Sequence, residues 1–137
     1  MTSRLNPYIG FSDNARQAME FYRDVFGGDL TMSTFGDMGA AAPGEENNVM
    51  HAQLETPSGF TLMGSDTPAG MDRSVGSNIS ISLSGDDADD LRRCFVKLSA
   101  GGSVTMPLEK QMWGDEFGMC IDPFGIPWMV NITQPAS

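Results

Sequence analysis

Phe21–Met32 reads FYRDVFGGDLTM, and Phe95–Met106 reads FVKLSAGGSVTM. Phe21 and Phe95, Gly27-Gly28 and Gly101-Gly102, and Thr31-Met32 and Thr105-Met106 all stand 74 positions apart. A second pair of anchors follows, where Pro57-Ser58-Gly59 parallels Pro123-Phe124-Gly125 at an offset of 66. Each match alone is weak, but their shared order marks an internal repeat. The shrinking offset implies a shorter loop in the second copy.

Working outward from the first glycine pair, Ala15, Ala18, Met19, Tyr22 and Phe26 recur at helical spacing. Ser12-Asp13-Asn14 supplies an N-cap signal and Gly27-Gly28 a stop. Asn6–Phe11 precedes this helix as a strand, and strands near Asp29–Phe35, Asn48–Glu55 and Phe60–Ser65 follow it. The last two are joined by the turn-forming run Thr56-Pro57-Ser58-Gly59. The second copy repeats the order. A strand over Asn78–Ser84 leads through Gly85-Asp86-Asp87 to a helix with Ala88, Leu91, Phe95 and Leu98 on one face. Strands near Ser103–Leu108, Glu116–Ile121 and Ile126–Thr133 complete it. The reading is an α+β chain of two βαβββ modules, at about 5–66 and 77–134, with a linker over 67–76. Helices are expected near 13–26 and 86–99, with Phe21 superposing on Phe95.

A chain of 137 residues with 40% hydrophobic and 19% charged residues suffices for one core-forming domain. Its net charge of −10 opposes binding to nucleic acid or to anionic membrane surfaces. The first residues lack the apolar core of a secretion signal, and no run approaches the ~20 apolar residues of a membrane span. A cytoplasmic location is therefore expected. Cys94 and Cys120 read as reduced, buried thiols on a helix and a strand, although the sequence leaves a disulfide open. No HExxH, P-loop, CxxC or nucleophile-elbow pattern occurs.

Leu5-Asn6-Pro7-Tyr8, Ala18-Met19-Glu20-Phe21-Tyr22, Val25-Phe26-Gly27-Gly28, Met50-His51-Ala52, Trp113-Gly114-Asp115, Asp122-Pro123-Phe124-Gly125 and Trp128 span almost the whole chain. With the repeat, they resemble the vicinal oxygen chelate superfamily of glyoxalases, bleomycin-resistance proteins and dioxygenases, and within it the PhnB-like group. The resemblance implies a cupped, incomplete eight-stranded barrel holding substrate and often a divalent metal, usually in a homodimer. Some members of that group carry a demethylubiquinone methyltransferase label. No glycine-rich strand-to-helix turn supports such a cofactor here.

Strand alternation sorts the faces. Ile79, Ile81 and Leu83 should pack on the helices, leaving Asn78, Ser80 and Ser82 to face the cup with Asn6, Tyr8 and Gly10 of the first copy. On the last strands Trp128, Val130 and Ile132 pack on the helix side, while Met129 and Asn131 turn inward. The family draws its metal ligands from the first and last strand of each module. The resemblance places those positions on or beside Asn6, Met63, Asn78 and Met129, two amides and two thioethers. Such donors suit neither hard dications nor zinc. No metal site and no cofactor are expected.

His51, the sole histidine, is the candidate general base or hydrogen-bonding group, on a strand where Val49, Gln53 and Glu55 share its alternation. Glu55 cannot orient it, being about 13 Å along the strand. Tyr8 and Trp113 offer flat surfaces to a ligand, and Asp115 and Glu116 offer charge. The ligand-binding set is Tyr8, His51, Gln53, Met63, Asn78, Trp113 and Met129. Residues 36–47 lack periodicity and form a candidate lid. The expected function is metal-independent binding of a small molecule, or an unassigned reaction on one; the residues do not choose between catalyst and binder. The alternative is sequestration of a cationic drug or metabolite in the bleomycin-resistance manner. A divalent-metal lyase or dioxygenase is disfavoured by the donor chemistry.

Overall fold

The structure, a computed structural model, describes residues 4–39, 41, 43–68, 76 and 78–134. Its contacts gather into two compact units, Met1–Val75 and Gly76–Ser137. The first contains β1 (Tyr8–Phe11), α1 (Ala15–Phe26), β2 (Asp29–Thr34), β3 (Val49–Glu55) and β4 (Thr61–Asp66). The second contains β5 (Ile81–Gly85), α2 (Ala88–Ser99), β6 (Ser103–Lys110), β7 (Glu116–Ile121) and β8 (Pro127–Ile132). The fold is therefore α+β, βαβββ twice over. Each unit forms its own four-stranded mixed sheet, ordered β1-β4-β3-β2 and β5-β8-β7-β6. The first strand of each unit lies parallel to the last, and the other pairs are antiparallel. Residues 69–75, most of the expected linker, lie outside the described residues.

One face of each sheet is covered by its helix. Ile9, Phe11, Ala52, Leu54 and Leu62 are buried in the first unit with Ala15, Ala18, Met19, Tyr22 and Val25 of α1. Trp128, Val130, Ile132 and Cys120 are buried in the second with Leu91, Cys94, Phe95 and Leu98 of α2. Burial of each large apolar side chain contributes about 1.5–3 kcal/mol, so these stripes fix which face each strand presents.

The repeat has a steric basis. A Cβ on Gly28 would overlap the carbonyl oxygen of Glu55, and one on Gly102 that of Ile121. The chain leaving each helix thus crosses the end of its own sheet at the same place, where only glycine fits. The helices themselves register differently from the expectation. Buried Ala18, Tyr22 and Val25 correspond to Leu91, Phe95 and Leu98, so Tyr22 rather than Phe21 occupies the place of Phe95. α1 runs directly into Gly27, whereas Ala100 intervenes between α2 and Gly101. That one residue separates the helical offset from the glycine offset.

Two local expectations fail, and the expected N-cap holds in position without its side-chain bond. Asn14 caps α1 without a side-chain bond. The Ala15 N–H instead donates to Asp66 Oδ1 at the end of β4 (2.9 Å), and Asp66 Oδ2 accepts from the Val49 N–H (2.8 Å). In the second unit the Asp87 side chain does accept from the Asp90 N–H. The strand expected from Asn78 begins only at Ile81, leaving Asn78 and Ser80 outside it and Ile79 exposed rather than packed. Val49 does not share the face of His51. The pairing steps from Ser33↔His51 to Thr34↔Val49, so Met50 is an extra, bulged residue and Val49 is buried.

Cys94 and Cys120 are both free and buried. Burial raises both thiol pKa values, that of Cys120 to about 11, with Asp122 adding to the effect there. At pH 8 roughly a thousandth of the Cys120 thiol would then be thiolate, the reactive form. Iodoacetamide should therefore label neither cysteine on the timescale of a free thiol in folded protein, and both in urea. Rapid labelling of folded protein at Cys120 would contradict this account.

Candidate functional site

The helix-free face of the first sheet is built by alternation. Tyr8 pairs with Met63, Met63 with Gln53 and Gln53 with Thr31, so these four side chains share one row and one face. His51, Ser65, Gly10 and Ser33 form the next row, and Glu55, Thr61 and Asp29 the row on the other side. Every strand of the unit contributes, and the face is polar where the opposite one is apolar. Ala52, Leu54, Leu62 and Ile9, buried beneath it, hold these strands in place.

Hydrogen bonds tie this face together. The Tyr8 hydroxyl lies 3.3 Å from His51 Nδ1, and the rings are 5.8 Å apart between centroids. Which of the two donates depends on the histidine tautomer. Gln53 Nε2 donates to Glu55, and the Thr61 hydroxyl donates to the other oxygen of the same carboxylate at 3.0 Å. These two bonds hold the Glu55 carboxyl below the usual carboxylate range. Tyr8 is 52% exposed and His51 half-buried, so the pair is open to solvent yet laterally supported. Chemically, the pair can exchange a proton or bind one polar group from two sides.

The corresponding face of the second sheet has a different character. Met106, Met119 and Met129 share a row, with Ser82 beside Met129. Phe117 pairs with Asn131 and Glu109 in the next row. Trp113, 59% exposed in the β6–β7 turn, stands edge-on to Phe117 with centroids 6.0 Å apart.

Of the expected ligand-binding residues, Tyr8, His51, Gln53 and Met63 are brought together on the first sheet. Met129 and Trp113 belong to the second unit, and Asn78 is exposed ahead of β5 rather than in it. Asp115 is committed to the scaffold, accepting from Asn131 Nδ2 (3.1 Å) and the Gln134 N–H (3.2 Å). Glu116 faces the helix side, paired with Arg92 of α2. Residues 36–47 begin with the pairing continued, Gly36 N–H donating to the Glu46 carbonyl, and Ala40 and Ala42 lie outside the described residues. The Tyr8–His51 contact, between residues 43 apart in sequence, had no sequence signal beyond the shared strand faces. Nor did the methionine row.

Strand register sets hydroxyl residues, not the expected amides, beside Met63 and Met129. The residue paired with Met63 is Tyr8, not Asn6, and that paired with Met129 is Ser82, not Asn78. Each first-and-last-strand pair thus offers a hydroxyl and a thioether, with neither carboxylate nor imidazole. Among the described residues, no three His, Cys, Asp or Glu side chains gather into a metal-binding group. These donors do not fit a divalent cation.

Two βαβββ modules, each with an open sheet face opposite its helix, define the class as a small glyoxalase-type fold. Residues 4–130 match the profile of the Glyoxalase/Bleomycin resistance protein/Dioxygenase superfamily, and the chain belongs to it. Escherichia coli YjdN is 26% identical, over 95% of this chain and 95% of that protein. Uncharacterized protein Mb0911c of Mycobacterium bovis is 32% identical, over 96% and 82%. Among solved structures, PA1353 of Pseudomonas aeruginosa is 38% identical with a TM-score of 0.88, covering 98% of this chain and 100% of that one. A Bacillus cereus structure described as a putative 3-demethylubiquinone-9 3-methyltransferase, PhnB protein, is 23% identical with a TM-score of 0.77 and covers 96% and 100%. That last likeness is one of fold alone. Among the described residues, no helix is long and apolar enough to cross a membrane.

Proposed function

We propose that this chain binds a small organic molecule on the open face of its first sheet, through Tyr8, His51, Gln53 and Met63, without a divalent metal. The observation that carries the reading is the Tyr8–His51 contact at 3.3 Å, which sets two groups able to donate or accept on an otherwise accessible face. Gln53 gives one amide N–H to Glu55, and its second N–H and its carbonyl oxygen are the groups it would offer a ligand. Met63 supplies an adaptable apolar contact between the two strands that carry the polar groups. The same pair would serve as acid and base if the bound molecule reacts.

The second reading, retention of an organic cation, is favoured by Glu55. Its carboxyl is exposed, shares this face and is held below the usual carboxylate range by Gln53 and Thr61. Screening metabolites and cationic drugs by thermal shift, in buffer containing EDTA, tests both. The small-molecule reading expects a ligand that raises Tm in the presence of chelator, with affinity at least tenfold weaker in His51→Ala and in Tyr8→Phe. Cation retention further requires that Glu55→Gln weaken binding comparably. Ligand binding that vanishes with EDTA, or that ignores both Tyr8 and His51, would overturn the proposal.

A further inference from the structure

The open face of the second sheet carries three thioethers in one row. Met106 on β6 pairs with Met119 on β7, and Met119 pairs with Met129 on β8. Directly opposed residues stand about 5 Å apart, and three rotatable bonds per side chain allow neighbouring sulfurs to converge on one point.

This row depends on an irregularity. Ser103↔Ile121 and Val104↔Cys120 begin a regular antiparallel ladder, which would next set Thr105 opposite Met119 and Met106 opposite Gly118. Met106 would then point to the α2 side. The pairing instead steps to Met106↔Met119, making Thr105 an extra residue and turning Met106 onto the open face, where it is 40% exposed. A bulge that re-aims one side chain is a recurrent device at functional positions. Here it completes the trio.

Methionines that serve only to fill a core are covered, as Met19 is in the first unit. None of these three is fully buried. Phe117, two positions before Met119 on the same face and braced by Trp113, borders the row with an aromatic edge. The donors are neutral and soft, with no carboxylate in the row. Such a set suits a monovalent d10 cation, whereas a dication would surrender hydration for ligands that cannot replace it.

We propose that Met106, Met119 and Met129 form a three-thioether site for a soft monovalent cation, Cu(I) being the biological candidate. The site lies on a different sheet from the Tyr8–His51 pair and does not depend on that reading. Silver(I), the air-stable counterpart, is the probe, added in chloride-free buffer to full-length protein labelled with methyl-13C methionine. Of the eleven methionines, those at 106, 119 and 129 should shift together and saturate at one equivalent, while zinc(II) should move none of the three. Met119→Leu, nearly volume-conserving, should weaken silver binding at least tenfold with Tm retained. Cys94→Ala/Cys120→Ala should leave it intact, because the two thiols lie on the buried helix side of the sheet. If that variant does not fold, the wild-type methyl shifts still decide. Shifts confined to other methionines, unchanged affinity in Met119→Leu, or binding that follows the cysteines would overturn the proposal.

Discussion

Asp122→Ala is expected to lower the unfolding free energy by about 4 kcal/mol, the largest effect of any single polar truncation in the second unit. Asp122 is 2% exposed, and its carboxylate closes the β7–β8 turn from within. Oδ1 accepts from the Phe124 N–H (2.8 Å) and the Ile126 N–H (3.0 Å), and Oδ2 accepts from the Trp128 indole N–H (2.8 Å). A single bond to a carboxylate contributes roughly 1.5–3 kcal/mol, bonds that share one acceptor group add less than fully, and removing the carboxylate breaks all three. Asp122→Asn separates the contributions. Its oxygen can keep both backbone bonds, but its NH2 then faces the indole N–H, donor against donor. Trp128→Phe removes the second donor, so the double variant should recover about 1–2 kcal/mol relative to the sum of the single changes. Urea unfolding of the four proteins measures the cycle. A loss under 1 kcal/mol in Asp122→Ala, or strictly additive changes, would show that water replaces the carboxylate without difficulty.

Asp66→Ala should cost about 3 kcal/mol in the first unit by related physics. Its two oxygens accept from Ala15 N–H and Val49 N–H, tying the start of α1 to the start of β3 while Asp66 itself is 2% exposed. It does the work that an N-cap side chain ordinarily does, and Asn14 cannot compensate because its side chain makes no cap bond. Asp66→Asn keeps one acceptor and should fall between wild type and alanine. Amide exchange supplies a local reading. The Ala15 and Val49 N–H groups should lose protection in Asp66→Ala before the centre of α1 does. Equal protection in both proteins would refute the capping role even if stability fell.

The contrast between these two aspartates marks what the sequence could and could not say. Asp122-Pro123-Phe124-Gly125 stood out as a phrase because its bonds are local, spanning two to six residues. Asp66 did not, since its partners lie 51 and 17 residues away and nothing near it reports them. Helices, turns and most strand faces were legible for the same reason: periods of 3.6 and 2 are properties of neighbouring residues. Period-two reasoning failed where a ladder slips. Met50 and Thr105 are single extra residues, yet they reversed the faces expected for Val49 and opened a place for Met106. For the candidate site, Tyr8, His51, Gln53 and Met63 were legible as a face but not as a network, because strand register sets which of them touch. Asn6 and Asn78 lie ahead of β1 and β5, so neither is the strand partner of Met63 or Met129.

Each first strand lies against the last strand of its own unit, and no pairing among the described residues joins a strand of one unit to a strand of the other. A polypeptide cut between residues 67 and 76 therefore loses one covalent tie and, among the described residues, no ladder hydrogen bond. The two fragments keep complete sheets, with hydrophobic stripes already covered by their own helices. This is the condition that expressing one module alone asks of a chain, and it makes the junction a natural place to divide the gene.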